Sequence, residues 1–306
     1  MKRLLFLAIS LVSLVALSGV ARADAPAKQE GRVWYDQNLT LAFTPEWSLT
    51  VMPGMRFEYA RSREDIQGVQ FLEFFIGPNY TYKMGSLTLK GSLWYYYMGY
   101  PQRGRGKETP PGSDILKCSN DPKATNCTST YNFSHNLEII PAAEYRIGRW
   151  SIYDRIIFHN TFYTDFYSTD HSVPGDALGL SINDQRWGWG MVLRELVQGR
   201  YALTDRMGVL LADEVFFGIL EDSDTSKLAA TAPTAAYNPI GYWKDGFRYN
   251  RTYVGIDFKV TPALTVSPMY MLEIGVSPVD SGDITDVAHN LFVVVTYVAK
   301  MFDDKK

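Results

Sequence analysis

From Gly31 onward the chain repeats a single unit: an alternating segment of about ten residues, a tight turn, a second such segment, then a longer polar loop. Tight turns are expected at Thr44-Pro45-Glu46, Met84-Gly85-Ser86, Gly148-Arg149, Thr204-Asp205-Arg206 and Thr261-Pro262-Ala263, with the loops between them. The alternation is clearest from Tyr131 to Ile147. There Tyr131, Phe133, Leu137, Ile139, Pro141, Ala143, Tyr145 and Ile147 share one parity, and Asn132, Ser134, Asn136, Glu138, Glu144 and Arg146 the other. A period of two sends these sets to opposite faces of a strand, whereas a helix would mix them. One face then suits lipid and the other a polar interior. The split recurs from Trp47 to Tyr59, Leu87 to Tyr97, Arg251 to Lys259, Thr265 to Glu273 and His289 to Phe302.

Eleven segments read as strands: 32–43, 47–60, 69–83, 87–100, 131–147, 150–166, 186–203, 207–221, 247–261, 264–276 and 287–302. Long alternating segments joined by short turns on one side and long loops on the other specify an all-β, antiparallel transmembrane barrel. Such barrels normally carry an even number of strands, so twelve are expected within a range of ten to twelve. The missing strand would lie near the mature N-terminus or in a loop such as 168–185 or 222–246.

The N-terminus predicts export. Lys2 and Arg3 precede an apolar run from Leu4 to Val20, and Ala21-Arg22-Ala23 supplies a small-x-small cleavage site. This divides the chain into a signal peptide, 1–23, and a single barrel domain, 24–306, destined for a bacterial outer membrane. Past residue 24 no stretch approaches the ~18 uninterrupted apolar residues of a membrane helix, yet 46% of residues are hydrophobic and 14% aromatic. The 20 Tyr, 16 Phe and 7 Trp are the rings that interfacial girdles use. A net charge of −3 without a dense basic cluster argues against nucleic acid as a partner. Membrane lipid and small polar solutes are the partners this pattern suggests. Cys118 and Cys127 fall in the polar loop 101–130, where a short-loop disulfide is favoured over two free thiols. No metal or other cofactor is expected.

The inward parity collects charges of both signs: Arg56, Glu58, Glu73, Lys83, Lys90, Glu138, Glu144, Arg146, Arg155, Arg186, Arg194, Arg200, Arg251, Asp257, Lys259 and Glu273. Two arrangements follow. In a narrow barrel long Arg and Glu side chains can span the bore and pair, filling it; alternatively they line a channel selective for small polar or charged solutes. Arg186, Arg194 and Arg200 share one strand, and their guanidinium forks suit either Glu138, Glu144 and Glu273 or an oxyanion from outside. Pro53, Pro78, Pro141 and Pro268 occupy apolar-facing strand positions, so bulges are expected there. Asp154, Glu195 and either Asp213 or Glu214 would face lipid, near an interface or beside a bulge.

Catalysis is not expected. Ser134-His135-Asn136 contains the residue types of a hydrolytic triad, but neighbours in a strand point to opposite faces. His171-Ser172, beside Asp170, rests on sequence proximity alone, and no two histidines have metal-ligand spacing.

The Trp34 segment, Trp47-Ser48-Leu49 leading to Arg56, the Arg-rich strand 186–200, Asp213-Glu214-Val215-Phe216-Phe217 and Asn250-Arg251-Thr252-Tyr253-Val254-Gly255 follow one another in order. In this order the chain resembles a family of uncharacterised outer-membrane barrels known only as a domain of unknown function. The resemblance implies a barrel and supplies no catalytic residues. The leading functional expectation is a pore or transport barrel for small polar or charged solutes, its lumen lined or partly plugged by paired Arg and Glu. The alternative is a non-conducting structural, adhesion or assembly barrel acting through loops 101–130 and 222–246, with a barrel hydrolase behind both.

Overall fold

The computed structural model describes residues 28–61, 68–99, 133–163, 188–220, 246–276 and 284–302. They form β1 (Lys28–Ala42), β2 (Trp47–Arg61), β3 (Gly68–Met84), β4 (Leu87–Gly99), β5 (Phe133–Ile147) and β6 (Trp150–Tyr163), then β7 (Gly188–Ala202), β8 (Met207–Leu220), β9 (Gly246–Lys259), β10 (Leu264–Val276) and β11 (Ile284–Lys300). No helix occurs among the described residues. Every strand pairs with its sequence neighbours, and β1 pairs with β11, closing a barrel of eleven.

The expected count of twelve is therefore corrected to eleven: each strand already has two neighbours, and the closed ring has no place for another. With eleven strands alternating in direction, the first and last run the same way. They pair parallel, in a register unbroken from Lys28↔Asp286 to Ala42↔Lys300. Parallel pairing is slightly weaker per residue than antiparallel, and the length of this seam compensates.

The five tight turns stand where the sequence places them and use two devices. Gly85 and Gly148 adopt φ of 61° and 57°, the left-handed conformation that a two-residue hairpin requires. The other three turn on a threonine. Thr44 Oγ1 accepts from the backbone N–H groups of Glu46 and Trp47 at 3.1 and 2.9 Å, and Thr204 and Thr261 repeat the arrangement with Arg206, Met207, Ala263 and Leu264.

The proline expectation is also corrected. Register shifts occur at Gly31/Arg32, Arg56/Phe57, Met191/Val192, Phe216/Phe217 and Gly275/Val276, all on the loop side, and none at Pro53, Pro78, Pro141 or Pro268. A proline removes one ladder donor, but strands of 13–17 residues hold their register on both sides of the gap. Each proline instead has a glycine beside it: Gly54 follows Pro53, Gly77 precedes Pro78, Gly91 opposes Pro141, and Gly255 opposes Met269 next to Pro268. At Gly77 the approach is close enough that a Cβ would sit 2.1 Å from the Leu93 carbonyl oxygen and 2.7 Å from Trp94 Cα. Gly77→Ala is expected to destabilise the barrel by about 1–3 kcal/mol, because backbone must move. Gly91→Ala, with nothing within 4 Å of its Cβ, should leave the urea-unfolding midpoint unchanged. Equal midpoints for the two variants would refute the close-packing account.

The outer face is apolar and exposed. Phe43, Trp47, Tyr80, Tyr82, Tyr145 and Trp150 ring the short-turn side, and Phe57, Phe74, Tyr95, Phe162 and Tyr270 lie toward the loops. Aliphatic side chains such as Leu93, Ile139 and Ile256 fill the zone between. Asp154, Glu195 and Asp213 also have outward parity, each half-buried, while Glu214 turns inward. None of the three coincides with a register shift. Asp213 is satisfied locally, accepting from Asn250 Nδ2 at 3.0 Å and Thr252 Oγ1 at 3.1 Å.

Candidate functional site

The interior carries the chemistry of this barrel, and it is layered. An apolar cluster of Trp34, Phe75, Tyr96, Met98, Leu196, Leu210, Ala212, Tyr253 and Met271 packs across the bore, with Met52, Trp94, Tyr153, Met269 and Phe292 against it. Phe75 and Tyr96 stack at 3.8 Å, and Trp34 approaches Phe292 at 5.5 Å. These residues share the inward parity with the charges, so strict alternation of polar and apolar breaks down inside.

Interleaved with this cluster runs a belt of ion pairs. Glu214, on β8, accepts from Arg194 Nη2 at 2.9 Å, Arg155 Nη2 at 3.3 Å and the Tyr253 hydroxyl at 2.7 Å. Arg194 also reaches Glu138 at 3.2 Å, whose Oε1 lies 2.7 Å from His159 Nδ1. Arg251 donates from Nε to Glu273 at 2.6 Å, with Nη1 3.8 Å from Glu214. Arg32 bridges Glu273 at 2.7 Å and pairs with Glu30. On the remaining side Glu73 accepts from Trp34 Nε1 at 2.7 Å and from the Tyr96 hydroxyl at 2.9 Å, and Tyr96 meets His159 edge-on at 5.6 Å. Arginine planes seal the gaps: Arg251 lies 4.8 Å from the Trp34 ring and 4.6 Å from Phe216, Arg194 4.7 Å from Phe216, and Arg56 5.3 Å from Trp34.

The belt is dry. Glu138 and Glu214 are each 1% exposed, and Arg32, Arg251 and Glu273 are each 6% exposed. Charges on the wall of an aqueous bore would be wetted by it. Here opposite charges and hydrogen bonds compensate the desolvation, as a buried ionic network requires.

Toward the short turns the character changes. Asn79 is a hub, donating to Thr50 Oγ1 at 2.9 Å and accepting from Ser92 Oγ at 2.6 Å and Trp94 Nε1 at 2.9 Å. Lys90 and Arg146 share Glu144 at 2.9 and 2.7 Å. Arg200 Nε lies 2.7 Å from Asp257 Oδ2, and Ser267 donates to Oδ1 of the same carboxylate at 2.5 Å. The result is a polar vestibule on the short-turn side of the belt, where solvent reaches the Lys90, Arg200 and Arg146 side chains, 35%, 44% and 70% exposed.

Of the inward charges read from sequence, Glu73, Glu138, Arg155, Arg194, Arg251 and Glu273 join the belt, and Arg56 lies over its Trp34. Lys90, Glu144, Arg146, Arg200 and Asp257 line the vestibule, and Lys83 and Lys259 sit at its rim. Glu58 belongs to β2, opposite Arg32 in register. Arg186, Cys118, Cys127, His171, Ser172 and residues 1–23 lie outside the described residues. Arg194 and Arg200 find their carboxylates at Glu138, Glu214 and Asp257, and not at Glu144 or Glu273.

Four buried carboxylate and arginine members of the interior escape sequence reasoning: Glu30, Arg32, Asp36 and Glu214, all less than 10% exposed. For Glu214 the signal was present but ambiguous, because adjacent Asp213 leaves the parity of the pair open. His135 lies on the outer face, 2.6 Å from the Tyr95 hydroxyl, while Asn136 is buried inside, so the two sit on opposite sides of the wall. Among the described residues no group of three or more His, Cys, Asp or Glu converges to hold a metal ion.

No known family model matches the chain, and no curated protein is detectably similar to it. The interior geometry therefore carries the functional argument alone.

Proposed function

We propose that the chain is an exported outer-membrane barrel, without enzymatic activity, that handles small polar or charged solutes through a lumen shut at rest. The membrane setting is supported by the exposed apolar outer face with aromatic rings toward both ends, the surface that lipid stabilises. One observation carries the closed state: the belt at mid-barrel, where Glu138 and Glu214 are both 1% exposed. The solvent-exposed polar vestibule favours transport, since a purely structural barrel needs no wetted, charged layer on one side of its buried belt. Passage then requires the belt to part.

The second reading, a permanently closed structural, adhesion or assembly barrel acting through its loops, is favoured by the arginines that hold Glu138, Glu214 and Glu273 across the belt. Two measurements separate the readings. In planar bilayers the folded barrel is expected to show no standing conductance at low voltage, and Arg194→Glu should lower stability while leaving the baseline flat. In proteoliposomes it should pass small charged solutes faster than protein-free vesicles do. Standing channels would overturn the closed state, and absence of uptake for every charged solute would leave the structural reading in place.

A further inference from the structure

The short-turn end of the vestibule is strongly biased in charge. Among the described residues Lys83, Lys90, Arg146, Arg200, Lys259 and Lys300 occupy inward positions within the last turn-side residues of their strands, against Glu144 and Asp257. The charges in the adjoining turns, Glu46, Arg149, Asp205 and Arg206, cancel. Among the described residues, six cations facing two carboxylates leave a surplus of positive charge at the short-turn side of the buried belt.

On that side two guanidinium groups are prepared for a ligand. Arg146 on β5, Ser151 on β6 and Arg200 on β7 stand in one register row, Arg146↔Ser151↔Arg200, all with inward parity. The two arginine Cα atoms are thus two strand spacings apart, about 10 Å, with the Ser151 hydroxyl between them. Each guanidinium is held by its Nε against a carboxylate of the barrel, Arg146 on Glu144 at 2.7 Å and Arg200 on Asp257 at 2.7 Å. Arg146 donates a hydrogen bond through this contact and Arg200 is paired by charge alone, while the terminal nitrogens of both have no partner among the described residues. The Arg146 and Arg200 side chains remain 70% and 44% exposed, so solvent reaches both. Ser151 Oγ likewise has no hydrogen bond among the described residues.

We propose that Arg146, Ser151 and Arg200 form a binding site for the phosphate group of a small soluble solute entering from the short-turn side. Planar forks with several donors match the oxygens of a phosphate, and a hydroxyl between them supplies a further donor. The surrounding lysines draw the anion in without contacting it. Because the row faces the lumen and not the outer wall, a free phosphorylated solute reaches it and a bilayer headgroup does not. The inference deepens the solute-handling reading, but it stands or falls on binding, not on transport.

Titration calorimetry on the folded barrel in zwitterionic detergent, with inorganic phosphate as probe and ionic strength held constant with chloride, tests it. Saturable binding is expected for the native chain. Arg146→Gln and Arg200→Gln should each weaken it at least tenfold, Ser151→Ala about threefold, and Lys83→Gln, at the rim, less than twofold. Both arginines are exposed enough for the variants to fold, which heat-modifiable migration would verify. Absence of saturable binding by the native chain, or undiminished binding after both arginines are replaced, overturns the site. Vesicles containing phosphatidylglycerol supply the other arm: binding that depends on Arg146 and Arg200 for vesicles but not for free phosphate would also overturn it. Failure of uptake in proteoliposomes with phosphate binding intact would reject the transport reading and leave this site standing.

Discussion

Glu214→Ala is expected to destabilise the barrel by about 3–5 kcal/mol, the range for stripping a buried ion pair of one partner. Arg194, Arg155 and Arg251 place guanidinium nitrogens 2.9, 3.3 and 3.8 Å from this carboxylate, and Tyr253 donates to it at 2.7 Å. Removing it strips Arg155 of its carboxylate and leaves Arg194 and Arg251 to Glu138 and Glu273 alone among the described carboxylates, in a largely buried layer. Glu144→Ala removes a carboxylate that also serves two cations, but Lys90 and Arg146 are 35% and 70% exposed and water takes over. Its effect should stay below about 1 kcal/mol. Urea-unfolding midpoints of the two variants decide the matter. A double variant adds a control: Arg155→Met in the Glu214→Ala background should recover part of the loss, since it removes one uncompensated charge. Equal midpoints for Glu214→Ala and Glu144→Ala would mean that the belt is wetted and the lumen open.

The contrast between these glutamates also shows where sequence was legible. Period two fixed the strands, the turns and the inward side of Glu144 and Glu138, because their neighbours Tyr145, Leu137 and Ile139 are unambiguously apolar. It failed in β8. There Leu210, Ala212 and Phe216 face inward and Val209 and Leu211 outward, so both parities are apolar and nothing decides between Asp213 and Glu214. The cause is the apolar cluster in the bore, which makes some strands apolar on both faces, as in buried sheets. The even strand count failed for a different reason. A parallel closing seam is a pairing between chain ends, and alternation within a strand carries no information about which strand lies beside it.

Ile139→Arg tests the membrane setting on which the functional reading depends. Ile139 lies midway along β5 on the outer face and is 48% exposed, with Leu93 and Phe158 as register neighbours. Ile147 ends the same strand on the same face, beside Trp150, and is 58% exposed. In water both substitutions replace an exposed isoleucine with a charge and should be nearly neutral. In a bilayer the two diverge with depth: about 2–4 kcal/mol for Arg at the midplane, falling to about 0–1 kcal/mol near an interface. Ile139→Arg is therefore expected to lower the stability of the vesicle-folded barrel by about 2–4 kcal/mol, and Ile147→Arg by no more than about 1 kcal/mol. Urea titration in lipid vesicles followed by tryptophan fluorescence reads both. The size of the gradient between the two positions is the decisive quantity, because exposures of 48% and 58% differ too little for packing alone to separate the variants by about 2 kcal/mol. Two small and equal effects would place this face in water and remove the basis for an outer-membrane assignment.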